Sequence, residues 1–394
     1  MFRARADDGP SSNSERARHA SAPYTHRMER ASTAVSRREV IGRVARVGVG
    51  TLAALRSGSA FGRGDDQFGG VDPTPPPQDP RFPKPPTWET ELTEVAPNVY
   101  AYIQAGGPGR DNASVANAGV IIGDRGVAVI DTLTAPMHAK AFIAAIRRVT
   151  DKPFTHVFLT HHHGDHINGT QYFDEAEVIS HPYCRDEIVK VVNAGGPAFW
   201  PKRAGWADGT EARTIVLPTT TFDGKMTYHY GKTILELWPM VPAHTYGDIV
   251  AYLPQHKVLF VGDIGFFYVA PWCQNAHPTK WIEVCHTIDR MDVQTIVAGH
   301  GPLGGKAELA DMRDYLVLLK NETQRRYDAK MTAGAAAADI RMGKYDNWIG
   351  PERIVLDVQR IYDEFGGTLT PGVNAAGIQR ATVEYNAARK AASR

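Results

Sequence analysis

From Thr160 to Gly169 the chain reads T-H-H-H-G-D-H-I-N-G, which places His161, His163, Asp165 and His166 within six residues. Imidazoles two apart on an extended segment can point at one cation. The Asp and His beyond them can turn toward a second. Neutral imidazole nitrogen and carboxylate oxygen are the ligands that Zn²⁺ and similar borderline metals prefer. A histidine run alone fits a solvated loop equally well, so a metal site needs partners from elsewhere in the chain. Three later segments supply them: P-A-H-T-Y-G-D with His244, F-V-G-D-I with Asp263, and V-A-G-H-G with His300. Each comes after a short apolar run, from Ile234 to Trp238, Val258 to Val261 and Thr295 to Ala298. The ligand is therefore expected at or just after a strand end, where an α/β scaffold delivers side chains from rigid elements into a cleft. Glycine beside the ligand in three of the four segments lets the backbone turn sharply and approach a metal closely.

The order H-x-H-x-D-H, then His, Asp and His, resembles the metallo-β-lactamase superfamily over roughly Val99 to Gly304. The resemblance implies an α/β fold, a four-layered αββα sandwich with metals at one edge. Carried over residue by residue, it makes His161, His163 and His244 ligands of a first metal. Asp165, His166 and His300 become ligands of a second, and Asp263 the carboxylate bridging both. The upstream stretch N-A-G-V-I-I-G-D-R-G-V-A-V-I-D-T is similar to the family's opening hairpin, with Asp131 bracing the histidine loop. His162, between two ligands, is expected on the opposite side of the chain and outside the ligand set.

The formal charge of +1 hides an asymmetry. Residues 1–60 hold eleven Arg, no Lys and five Asp or Glu, a net of +6, and the remainder holds 33 basic and 38 acidic residues, a net of −5. An acidic body argues against a nucleic-acid partner. No run of about twenty apolar residues is present, which argues against an ordinary membrane span. The sequence S-R-R-E-V-I-G from Ser36 to Gly42 resembles a twin-arginine export motif, with a mildly apolar stretch after it and G-S-A ending at Ala60. Val40 where an aromatic is usual, and Arg43 and Arg46 inside the apolar stretch, depart from that motif. Export is the expectation, with a cytoplasmic protein carrying a disordered basic head as the alternative; Met28 makes a more conventional start than Met1. Residues 61–88 include D-P-T-P-P-P-Q-D-P-R-F-P-K-P-P, whose prolines remove backbone donors and favour an extended linker. Cys184, Cys273 and Cys285 form no C-x-x-C pair, so buried free thiols or one disulfide are both open.

Beta-branched runs at Asn98 to Gln104, Val115 to Gly123 and Val127 to Ile130, separated by Gly-rich turns, predict consecutive strands. Helical spacing through Met137, Phe142, Ile143 and Ile146 predicts a helix from Ala135 to Val149, and Thr155 to Thr160 a strand feeding the histidine loop. The stretch from Asn193 to Lys225 breaks the rhythm and carries Phe199, Trp200 and Trp206 on a Gly/Pro-rich loop, either a substrate lid or a cap on the core. The expected catalytic domain is 89–304. Residues 305–394 are the expected helical extension: Leu309, Met312, Leu316 and Leu319 share one face of a helix from Lys306 onward, and further helical stretches are expected at Pro351 to Phe365 and Gly377 to Ala392. This extension can complete the pocket, mediate a homodimer or merely cover the sandwich.

The resemblance implies a hydrolase in which two Zn²⁺, or iron or manganese, share a hydroxide that attacks the carbonyl of an ester, lactone, thioester or amide. Asp165 would orient the nucleophile and relay its proton. Among relatives, one branch of β-lactamases has Cys where Asp263 stands, and alkylsulfatases use glutamate near where His244 stands. After Asp263 the chain reads I-G-F-F-Y-V-A-P-W-C, without the basic patch of glutathione thioesterases. Phe266 and Tyr268, with Trp200 and Trp206, are the expected lining of a partly apolar small-molecule pocket. A mononuclear-iron oxidoreductase like the persulfide dioxygenases, a polyketide cyclase or a β-lactamase on the same fold are the alternatives.

Overall fold

Strict alternation along the strands sorts their side chains between two different cores. In the computed structural model, which describes residues 74–105, 115–173, 175–195, 198 and 210–392, seven strands form one sheet in chain order. They are β1 (Glu91–Ala96), β2 (Val99–Ile103), β3 (Ala118–Ile122), β4 (Val127–Ile130), β5 (Phe154–Phe158), β6 (Glu177–Ser180) and β7 (Thr220–Thr221). Five more, β8 (Met226–Tyr230), β9 (Thr233–Pro239), β10 (Ile249–Leu253), β11 (Val258–Phe266) and β12 (Thr295–His300), form the second sheet in the order β12-β11-β10-β9-β8. Each sheet opens antiparallel and turns parallel where a helix intervenes, at β4–β5 in the first and β11–β12 in the second.

On β3 and β4, Val120, Ile122, Val127 and Val129 point to one face and pack with Phe142 and Ile146 of α1 (Pro136–Arg147) and Ile188 of α3 (Pro182–Asn193). Their neighbours Ile121, Ala128 and Ile130 point the other way and meet Leu235, Leu237, Ile249, Ala251 and Phe260 of the second sheet. On β10 the remaining Val250 and Tyr252 face α4 (Pro278–Asp289) and the C-terminal helices. Three cores between four layers make an αββα sandwich, the class implied by the sequence. Period-2 side chains with both faces apolar permit no other placement for these strands.

The C-terminal extension folds as α5 (Lys306–Asp328), α6 (Ala333–Asp339), α7 (Ile354–Phe365) and α8 (Ala375–Ala392). Leu309, Met312, Leu316 and Leu319 are buried on the sandwich, as their spacing predicts. The short α6 escaped the sequence reading because its A-G-A-A-A-A-D has no apolar periodicity; packing against α7 and α8 holds it. Residues 74–88 have no regular secondary structure, but Asn347 grips their turn: its Oδ1 accepts from Asp79 N, and its Nδ2 donates to the carbonyls of Asp79 and Phe82. All three cysteines are buried free thiols. No helix among the described residues is long and apolar enough to cross a membrane. The basic head with Arg37 and Arg38 lies outside the described residues, as do Phe199, Trp200 and Trp206.

Candidate metal centre

The histidine loop leaves β5 and enters a single helical turn, α2 (Gly164–Ile167), which swings Asp165 and His166 back toward His161 and His163. His244 sits on the loop between β9 and β10, and His300 is the last residue of β12. Asp263 departs from the strand-end expectation. It lies inside β11, where pairing with β12 slips between Phe260 and Gly262 and again before Phe266. Such a bulge re-aims a side chain without ending the strand. Gly262 takes φ +51 there, and a Cβ on it would fall 2.6 Å from Thr160 Oγ1. Glycine is required on both counts.

These side chains converge into two groups whose candidate ligand atoms lie within 4.8 Å of one another: His161, His163, His244 and Asp263, and Asp165, His166, Asp263 and His300. Asp263 belongs to both, and its two oxygens divide the work. Oδ2 lies 3.7 Å from His161 Nε2 and 3.3 Å from His244 Nε2, whereas Oδ1 lies 2.9 Å from His166 Nε2 and 3.4 Å from His300 Nε2. Asp165 Oδ2 stands 3.2 Å from His300 Nε2. His162 belongs to neither group; it is buried and its ring packs on Tyr183.

Hydrogen bonds at Nδ1 fix which nitrogen His161 and His166 turn to the centre. Thr160 Oγ1 donates to Asp131 Oδ2, so it can only accept from His161 Nδ1. His166 Nδ1 donates to the same carboxylate oxygen at 2.7 Å. His161 and His166 therefore turn their Nε2 atoms into the centre, and these atoms are buried without hydrogen-bond partners, as is Asp263 Oδ1. Polar atoms left so are costly unless a cation satisfies them. Asp131 adopts φ 60, a left-handed conformation that Asp tolerates better than most side chains and that aims its carboxylate under the loop.

Burial holds His161 and His244 well below the ordinary imidazole value, which favours the neutral form that binds metals. Burial also pulls on His166 and His300, but Asp263 and the other carboxylates raise both. Burial alone would raise Asp263 and Asp165; His166 and His300 outweigh it and hold both carboxyls well below their usual range. Ionised carboxylates and imidazole nitrogens, converging on two adjacent points, suit a pair of divalent cations.

Residues 111–300 match the family model of the metallo-beta-lactamase superfamily. The domain they form belongs to that superfamily. This chain is similar to the linear primary-alkylsulfatase of Pseudomonas sp. (strain ATCC 19151), at 23% identity over 259 residues that cover 55% of this chain and 48% of the relative. It is also similar to a metallo-beta-lactamase type 2 of Elizabethkingia meningoseptica, at 24% identity over 54% of this chain and 80% of the relative. Among solved structures, the stereoselective inverting sec-alkylsulfatase from Pseudomonas sp. superimposes with a TM-score of 0.53 at 18% identity, over 73% of this chain and 51% of that one. The chain thus spans about half the length of the alkylsulfatases it matches.

Within this metallo-β-lactamase domain, two of the expected pocket aromatics, Phe266 and Tyr268, take other places. Phe266 has no exposed surface; its ring stacks 4.9 Å from His300 and lies 5.8 Å from His244, supporting the imidazoles from behind rather than meeting a substrate. Tyr268 is half-buried and packs on Trp348 of the extension. Several supporting residues escaped the sequence reading. Asn117 donates from Nδ2 to the carbonyls of Ala298 and Gly301, pinning the turn that presents His300. Gly299 leaves room for the bridge, since a Cβ there would fall 2.0 Å from Asp263 Oδ1. The glycine of V-A-G-H-G was its signal; Asn275, whose Oδ1 lies 2.9 Å from His163 Nε2, had none.

Proposed function

We propose that this chain is a metal-dependent hydrolase that holds two divalent cations, zinc foremost, and cleaves a small, partly apolar substrate. The observation that carries the reading is Asp263, whose separate oxygens face two separate sets of imidazoles. Bound there, the cations supply a hydroxide nucleophile near neutral pH and polarise the electrophile's oxygen. Asp165 is the ligand-type side chain best placed to move a proton. Its carboxylate is 27% exposed while the ring of His300 beside it is 3% exposed, so it stands where solvent and substrate enter. Ionised and held by His300 Nε2, it can orient the nucleophile and take its proton at Oδ. No serine or cysteine nucleophile is required, and the three buried thiols, all pushed up by burial, are unsuited to one.

The favoured electrophile is a carbonyl of an ester, lactone, thioester or amide. A sulfate ester is the second reading, supported by similarity to two alkylsulfatases. His244 in the first ligand group weighs against it, since the resemblance drawn from sequence puts glutamate near that place in alkylsulfatases. Purified protein loaded with zinc, assayed against carboxylic esters, lactones, thioesters, sulfate esters and β-lactams, separates these readings. Turnover of the first three classes with about two zinc ions per chain is expected. One iron with oxygen uptake and no hydrolysis would sink the proposal in favour of an oxidoreductase.

A further inference from the structure

We propose that Asn275 is a positioning residue for the metal centre, and that the helical C-terminal extension sets it through the carbonyl of Pro371. This rests on the metal-centre reading above. The carbonyl of Pro371 can only accept, so the Asn275 atom 3.3 Å from it is the donor Nδ2. That assignment turns Oδ1 toward His163 Nε2 at 2.9 Å. An amide oxygen can only accept, so Nε2 carries the proton and Nδ1 of His163 is bare. Nδ1 lies 2.9 Å from His244 Nε2, where a cation between the two nitrogens would take a lone pair from each. Each step leaves one assignment, and the chain of constraint begins in the extension. His161 and His166 are set from within the sandwich by Thr160 and Asp131. His163 is set from outside it.

The grip is built into α7 and its N-cap, Arg353. Arg360 donates to Thr370 O and Gly372 O, on either side of Pro371, and from Nε to Ala276 O at 2.6 Å, next to Asn275. Arg353 donates to Ala270 O, and Asp357 accepts from Cys273 N. Residues 353, 357 and 360 share one helix face by their spacing, and all three are buried. They bind residues 270, 273 and 276 in turn, so the segment carrying Asn275 is held at three points by α7 and the residue that caps it. Tyr183 OH, 3.4 Å from Pro371 O, adds a weaker tie from α3.

Outer partners of metal-bound histidines typically contribute about 10–100-fold to metal affinity. In full-length protein, titrated with Zn²⁺ against a chromophoric chelator well below the melting temperature, Asn275→Leu is expected to weaken one of two ions by about that factor and spare the other. A role confined to folding would lower the melting temperature of the metal-free protein without moving that affinity. Asn275→Ser, which keeps the site polar, carries the same expectation if the Leu variant does not fold. Arg360→Lys retains the charge but cannot grip three carbonyls, and should weaken the same ion by a smaller factor. Two wild-type zinc affinities in the Asn275 variants overturn the proposal. A weakened Asn275 variant beside an unchanged Arg360→Lys overturns the part assigned to the extension. Wild-type protein that binds no zinc would instead overturn the metal-centre reading itself.

Discussion

At the metal edge, buried polar side chains face one another; in the extension, Arg353, Asp357 and Arg360 face main chain. Asp263 meets His161, His166, His244 and His300, and Asp131 meets His166 and Thr160. Arg353, Arg360 and Asp357 meet the carbonyls of Ala270, Ala276, Thr370 and Gly372 and the amide of Cys273. The first arrangement leaves atoms unsatisfied until cations enter. The second satisfies loop backbone that lacks a sheet or helix to pair with, as buried peptide groups require. The difference teaches that buried charge alone does not mark a functional centre. What marks it is convergence of groups that cannot satisfy one another.

That contrast breaks most sharply at the bridge. Asp263→Ala should take metal content from two ions to one or none and reduce turnover to background, with the sandwich retained by circular dichroism. Two bound ions and near-normal turnover in that variant would remove Asp263 from its bridging role. Gly299→Ala should act in the same direction, because its Cβ would land 2.0 Å from Asp263 Oδ1 and the carboxylate must move. Metal stoichiometry reads this directly.

Next in size is Asp131. Replacing it by Ala frees His166 Nδ1 and Thr160, and affinity for the second ion should fall about 10–100-fold. An unchanged chelator competition would show that the loop holds itself without its brace.

At Asp357 the extension should respond to pH. Burial pushes the Asp357 carboxyl from 3.8 up to about 7. A folded-state value above the unfolded one means that its contribution to stability is fully present below pH 3.8 and is lost as pH rises to about 7. Asp357→Asn should abolish that slope, so the variant gains on wild type across the window by about 1–4 kcal/mol at most. Denaturant unfolding at pH 4.5 and 7.5 measures it; a difference that does not change between them would refute the assignment. The smallest effect on the centre is expected from His162→Ala. Its ring lies outside both groups, so two ions should remain bound even if packing against Tyr183 is lost.

The seven ligand-type residues were legible because each carries a chemically distinctive side chain beside an apolar run, and the structure brings all seven together. The α/β class was legible because strand and helix periods differ, and the four layers followed from the family resemblance. Phe266 was misplaced because its side chain points with the strand's pleat, and a bulge at Gly262 changes that register without any trace in composition. The clamp of α7 was invisible: Arg353, Asp357 and Arg360 read as an ordinary charged stripe until burial shows them facing backbone. The sequence by itself therefore determined the element types, the metal-ligand chemistry and the order in which ligands are delivered, since these rest on local period and side-chain identity. Only the tertiary structure decided which nitrogen His161, His163 and His166 turn to the centre, where Asp263 aims, and that a loop near residue 371 is tied to His163 through Asn275. Those depend on hydrogen-bond partners such as Asn117 and Gly299 or Asn275 and Pro371, about a hundred or more residues apart in the chain, which no local pattern encodes.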